Sequence, residues 1–222
     1  MSLPATDVKK SVLIIDDHPL FRKGVRQLLE MDGQYHIVGE AADGKHGLQQ
    51  VGELRPDLVL LDLNMAEMNG LQVLEAIKQL HRRVLVVIIT VSDQDSDVAR
   101  AIHSGADGYL LKDMEPEDML EKLGRLADGQ VVLDDNIALL LANILRSGGP
   151  ASPEQTGLTA REVEILQLLV RGLNNKLIAR ELDISDGTVK VHVKNILRKL
   201  KVKSRLEAAV WAMNHDFPGC NG

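Results

Sequence analysis

The chain has 222 residues, enough for two small domains, and 45% of them are apolar, which excludes wholesale disorder. No apolar run approaches the length of a membrane span, the first ten residues lack a secretory apolar stretch, and the single cysteine, Cys220, can neither close an internal disulfide nor build a thiolate metal site. The formal charge of -6 hides an asymmetry, because from Leu158 onward 11 Lys+Arg stand against 7 Asp+Glu while the rest of the chain holds 15 against 25. An acidic part can hold cations and a basic part can meet phosphate backbones, so two domains with different partners are expected, in a cytoplasmic protein with no membrane contact.

In chain order, 11–16 (SVLIID) is short and continuously apolar and predicts a buried strand. A helix follows with Pro19 in its first turn, where a fixed φ is welcome. Residues 36–40 predict a strand and 43–54 a helix. Residues 57–62 (DLVLLD) predict a second buried strand, 71–80 a helix and 84–90 (VLVVIIT) a third apolar strand. Residues 93–104 predict a helix stopped by Gly105, 108–111 a short strand and 116–127 a last helix. Strict alternation of strands and helices implies a parallel sheet covered on both faces, with functional groups gathered beyond the carboxyl ends of its strands.

The alternation then stops. Residues 134–146 could form an isolated helix, and 147–157 (SGGPASPEQTG) has the composition of a linker. Beyond it only helices are predicted. Thr159 and Glu162 fit a capping box, and Leu158 and Val163 a hydrophobic staple, for a helix that stops at Gly172. Asn174 or Asn175 can cap a second helix, Ser185 or Asp186 a third, and Ser204 a fourth. A short helix, a tight turn and a longer basic helix make a helix-turn-helix. The expected domains are therefore 8–128, an α/β unit with a five-stranded parallel sheet; 129–157, a linker with a helix; and 158–216, an all-α four-helix unit.

On this topology Asp16 and Asp17 end the first strand, Asp62 the third and Thr90 the fourth, while Lys112 follows the fifth. Each alone is an ordinary cap or loop residue. Together they fall at one sheet edge, where three carboxylates repel one another unless a cation intervenes. Mg²⁺ takes a few oxygen ligands and keeps several waters; Asp17, Asp62 and a backbone carbonyl, that of Asn64, could supply them, with Asp16 close by or acting through water. A metal-bound carboxylate beside a lysine and a hydroxyl suits phosphoryl transfer, with Asp62 of the central strand as nucleophile, Lys112 on one phosphoryl oxygen and Thr90 donating to another.

The segments IIDDHPLFRKGV, LVLLDLNM, IITVSD and GADGYLLKD resemble the receiver domains of bacterial response regulators over about residues 12–127. That resemblance implies a (βα)5 flavodoxin-like receiver in which Asp62 is the phosphoacceptor, Asp16 and Asp17 bind the metal, Thr90 and Lys112 complete the site, and Tyr109 is a switch aromatic. A role in surface packing is the alternative for Tyr109. The family pattern has Pro four residues after the phosphoacceptor and often Gly next; here Ala66 and Glu67 stand there, which loosens the loop and adds negative charge.

In the third helix of the basic unit, Val189, Val193, Ile196, Leu197 and Leu200 recur on a core-facing side. Lys190, Lys194, Arg198 and Lys201 recur on another, with apolar Val191 among them. A solvated lysine stripe is the plain alternative. Within a helix-turn-helix the stripe instead fits a major groove, with Val191 against a thymine methyl, Lys190 on a guanine edge and Lys194 on a base or phosphate. Lys199, Lys203 and Arg205 are expected on phosphates.

The run LTAREVEILQLLVRGLNNKLIARELDISDGTVKVHVKNILRKLKVKSR resembles the DNA-binding domain of the NarL/FixJ (LuxR-type) family, over about residues 158–211. The family implies a base-reading trio of Lys190, Val191 and Lys194, a sensor histidine kinase as phosphoryl donor, a homodimer on double-stranded DNA and contact with RNA polymerase. Its nitrate/nitrite branch, which the chain resembles further, implies nitrate or nitrite as the signal. Two other readings compete. One is an aspartate-nucleophile Mg²⁺-dependent phosphatase, although such enzymes carry an acid/base Asp two residues after the nucleophile, where this chain has Asn64. The other is a constitutive DNA-binding protein with an inert receiver.

Overall fold

Apolar strands of four to seven residues separated by amphipathic helices leave a chain few ways to bury both sheet faces, and the observed topology is one of them. The structure is a computed structural model that describes residues 9–66, 68–81, 83–91, 95–130 and 156–214. The expected helix at 134–146, most of the linker, Glu67 and Cys220 lie outside the described residues.

Among the described residues the order is β1 (Lys10–Ile15), α1 (Pro19–Asp32), β2 (Tyr35–Ala41), α2 (Gly44–Leu54), β3 (Leu58–Leu61), α3 (Gly70–Leu80), β4 (Leu85–Thr90), α4 (Asp95–His103), β5 (Gly108–Leu111) and α5 (Pro116–Ala127). The strands form one parallel sheet in the order β2-β1-β3-β4-β5. β3 is therefore central, and the order reverses between β1 and β3, where α/β sheets open a crevice beyond their carboxyl ends. One face of the sheet packs Leu13, Ile15, Val59, Leu61, Val86 and Ile88 against α2, α3 and α4. The other packs Val12, Ile14, Leu58, Leu60, Val87 and Ile89 against α1 and α5. Period-2 side-chain alternation thus buries both faces, and every residue of β3 is apolar and buried.

The second unit contains α6 (Ala160–Val170), α7 (Asn175–Glu181), α8 (Asp186–Leu200) and α9 (Arg205–Asn214). The expected caps form. Thr159 and Glu162 make a complete capping box; Asn174 caps α7, Ser185 caps α8, and the Ser204 hydroxyl accepts from the Glu207 N–H at the start of α9. The buried Glu162 carboxylate also accepts from Lys199 Nζ at 2.6 Å, tying α6 to α8. Burial alone would raise this carboxyl, but Lys199 and the Thr159 donors outweigh it and hold it below the ordinary carboxylate range.

The two units touch. Leu206, Ala209 and Val210 of α9 are buried in one cluster with Val98, Ala101, Ile102, Ala106 and Tyr109 of the receiver-like unit. His103 Nδ1 lies 3.0 Å from Glu207 Oε1 across the same contact. Gly105, in left-handed backbone with φ +102, lets Lys203 come so close that a Cβ there would stand 3.2 Å from Lys203 Cβ.

Candidate functional site

The strand-end expectation is met at atomic distances. Asp16 and Asp62 are buried, Asp62 to 1% exposure, although both are charged residue types that rarely lie inside unpaired. Lys112 compensates them: its Nζ lies 2.8 Å from Asp62 Oδ2 and 2.9 Å from Asp16 Oδ2, with its side chain only 8% exposed. The Phe21 ring carries the same ammonium 4.8 Å from its centroid and confines it further. Asp62 Oδ1 accepts from the Asn64 N–H at 3.2 Å, and Asn64 Nδ2 donates to the buried Thr90 Oγ1 at 3.2 Å. Residues from four loops, distant in sequence, thereby share one bonded network.

Two backbone devices hold the carboxylates. Arg22 NH1 donates to the Asp16 carbonyl at 2.5 Å, while Arg22 Nε is anchored by Glu40 at 3.1 Å, so α1 and β2 fix the turn after β1. Behind Asp62, Gly70 opens α3 so close to the loop that a Cβ would lie 2.2 Å from the Asp62 carbonyl oxygen. Neither is legible in the sequence, since an Arg–Glu pair across elements and a close glycine carry no local signature. His18, for which no role is expected from the sequence, stands beside the acid pair. Its Nδ1 lies 2.8 Å from Asp17 Oδ1 and 3.7 Å from Asp62 Oδ2.

The donor set fits a cation. One donor atom from each of Asp16, Asp17, His18 and Asp62 lies within 4.8 Å of the others. Asp17 Oδ1 is buried and accepts no hydrogen bond, because His18 Nδ1 is near it without hydrogen-bond geometry. An orphaned carboxylate oxygen beside two further carboxylates is the environment a hard, oxygen-seeking ion satisfies.

Tyr109 is fully buried on β5, so surface packing does not describe it. It lies in the cluster that α9 of the second unit completes, which puts it between the acidic pocket's strand and the contact between the units.

On α8 the stripe divides. Val191 is 59% exposed, unusual for valine on a helix whose other apolar residues turn inward. Lys190 pairs with Asp186 one turn before it, at 2.6 Å. Lys190, Lys194 and Arg198 line a cleft that faces α3 of the receiver-like unit. Lys201 leaves the expected register: α8 ends at Leu200, and Lys201 is its C-cap in left-handed backbone with φ 58, so helical spacing no longer places its side chain. The expectation of a phosphate contact at Arg205 is corrected too. Its NH1 donates to Asn175 Oδ1 at 3.0 Å and its NH2 to the Leu173 carbonyl at 2.5 Å, so the group ties α9 to the α6–α7 turn. Burial pushes this guanidinium down to about 10, as expected of a cation taken from water without a carboxylate partner.

Comparison with known proteins agrees with this two-part construction. Residues 12–124 match the response regulator receiver domain, and residues 156–212 match the bacterial regulatory proteins of the luxR family. The chain belongs to the NarL/FixJ (LuxR-type) response regulators. The regulator is 48% identical over 202 residues to the nitrate/nitrite response regulator protein NarL of Escherichia coli K12, covering 90% of this chain and 94% of that one. It is 46% identical over 199 residues to the nitrate/nitrite response regulator protein NarP of the same strain, covering 90% and 92%. Among solved structures, the response regulator ChrA of a heme-sensing two-component system is similar at 32% identity, with a TM-score of 0.51 and 94% of this chain and 98% of that one covered. These relatives are response regulators. Among the described residues no helix is long and apolar enough to cross a membrane.

Proposed function

We propose that this regulator accepts a phosphoryl group on Asp62 from a sensor histidine kinase and thereby frees α8 to bind double-stranded DNA. The observation that carries the reading is the Lys112 ammonium held between Asp62 and Asp16 at 2.8 and 2.9 Å, with the Thr90 hydroxyl reached through Asn64. Asp16, Asp17, Asp62 and the Asn64 carbonyl would hold Mg²⁺, which when bound neutralises charge on the phosphoryl oxygens. An Asp62 carboxylate oxygen forms the new bond to phosphorus as the donor imidazole departs. The product carries about two negative charges where one stood, so Lys112 and Thr90 turn from their present partners toward phosphoryl oxygens. Movement of Thr90 at the end of β4 changes the space beside Tyr109 on β5, the neighbour strand, and so bears on the cluster that α9 completes.

In the present arrangement Lys190, Lys194 and Arg198 line a cleft of about 880 Å³ together with Glu75, Lys78 and Arg83 of the receiver, so part of the basic side of α8 is turned toward the receiver while Val191 stays 59% exposed. Opening presents Lys190, Val191 and Lys194 to base edges, with Arg198, Lys201 and Lys203 near phosphates, and two copies occupy paired half-sites. RNA polymerase is the further partner, the compartment is the cytoplasm, and the regulator hydrolyses its own acyl phosphate only slowly. Likeness to NarL and NarP supports nitrate or nitrite as the signal. The test is DNA affinity with and without beryllofluoride. Activation of the wild type but not of Asp62→Asn supports the scheme, whereas equal activation of both contradicts it.

A further inference from the structure

The cleft between α3 and α8 has a charge balance that neither domain needs for its own fold. Two of its cations are already matched: Lys78 is ion-paired with Asp107 and also donates to the Val84 carbonyl at 2.9 Å, and Lys190 is paired with Asp186. Arg83 from the receiver and Lys194, Arg198 and Lys203 from the DNA-binding domain also line it. None of these four has a carboxylate partner among the described residues; Arg198 reaches only the neutral Asn195 Oδ1 at 3.3 Å. The one carboxylate in the lining, Glu75, accepts from the Ser104 hydroxyl at 2.8 Å and faces the excess alone.

Like charges gathered across a cleft between two low-dielectric walls repel, and docking the domains is what gathers them. A multivalent anion reverses the sign of that contribution. The cavity of about 880 Å³ lies within the ordinary range of small-molecule sites. Arg83 offers a planar fork of donors suited to phosphate, and Lys194 and Lys203 bring ammonium groups on flexible stems from the other domain to the same cavity.

We propose that this interdomain cleft is a binding site for a compact oligophosphate anion, such as tripolyphosphate or the phosphate chain of a nucleoside triphosphate, which bridges Arg83 to Lys194, Arg198 and Lys203 and holds the domains closed. The anion would oppose phosphorylation: it favours the arrangement in which α8 faces the receiver across the cleft, and it occupies the cations that DNA would use. The site rests on the docked arrangement and not on the chemistry of Asp62.

Arg83 makes the proposal separable from simple attraction of anions to a DNA-binding helix, because it stands on the receiver. Titration calorimetry of the full, unphosphorylated chain with tripolyphosphate, without Mg²⁺ and at physiological ionic strength, should show saturable one-to-one binding. Arg83→Ala, a change at an exposed residue, should weaken it about tenfold, the effect of one lost charge-assisted contact, and leave DNA affinity of the beryllofluoride-activated protein unchanged. Parallel titration with ATP identifies the source: equal affinity means the phosphate chain alone is read, and tighter ATP binding means a nucleotide is the ligand. Absence of saturable binding overturns the proposal, as does wild-type affinity in Arg83→Ala, which would put the anion on α8 alone.

Discussion

The acidic pocket and the basic face of α8 are built in opposite ways. The pocket draws Asp16, Asp62, Thr90 and Lys112 from different strand ends into a buried network, so each residue holds its place only because the sheet does. The α8 face is one helix with its side chains in solvent or in an open cleft, and its geometry comes from local periodicity. Substitution that changes shape in the pocket should therefore disturb chemistry and fold together, while substitution on α8 should change binding and spare stability.

The largest effect sharpens the contrast from the chemical side. Asp62→Asn should abolish phosphoryl acceptance while unfolding stays cooperative, because the amide keeps the carboxylate's shape; phosphate-dependent DNA binding measured by anisotropy should vanish. Gly70→Ala comes next. With the Asp62 carbonyl only 2.2 Å from the new Cβ, the loop must shift, at a cost of about 3 kcal/mol in denaturant unfolding and with slower phosphorylation. A Gly70→Ala protein with wild-type stability would show that the pocket is looser than its contacts state.

Glu162→Gln tests the helical domain's interior, with a loss of about 2 kcal/mol at neutral pH. The sign with pH is defined by the depressed Glu162 carboxyl. Its contribution is complete above the unfolded value of about 4.3 and is lost as pH falls through the lower folded value, so the difference between variant and wild type should shrink on acidification. The smallest effects on stability lie on the exposed face. Lys194→Ala should cost about 1–2 kcal/mol in DNA binding and little in folding; Lys201→Ala should mainly flatten the salt dependence of binding by about one unit of slope. If Lys201→Ala relaxed base preference as Lys194→Ala does, the C-cap geometry at Lys201 would not govern its role.

The same contrast explains what the sequence made legible. Strand ends are marked by apolar runs breaking at a charge, so the convergence of Asp16, Asp62, Thr90 and Lys112 followed from topology alone, and helix caps such as Thr159 and Ser185 carry their own local signatures. What escaped was of two kinds. Contacts between distant elements, such as Arg22 with Glu40 or Gly70 beneath Asp62, leave no periodic trace. Helix ends break the periodicity on which the reading of the α8 stripe relied: Lys201 stands one residue past the helix, and Arg205 turns inward once the fourth helix packs on the α6–α7 turn. Docking of the two units, which places Tyr109 in a cluster with α9, depends on tertiary packing that neither domain's pattern contains.

The central claim is that one buried carboxylate among these acids receives phosphorus. Incubating the wild-type chain with a small acyl phosphate and Mg²⁺, then locating the modified residue by peptide mass spectrometry after reductive trapping, addresses it directly. Modification at Asp62 that disappears on chelation of the metal is the predicted result; stable labelling of another residue, or none at Asp62 while the fold is intact, would contradict the account.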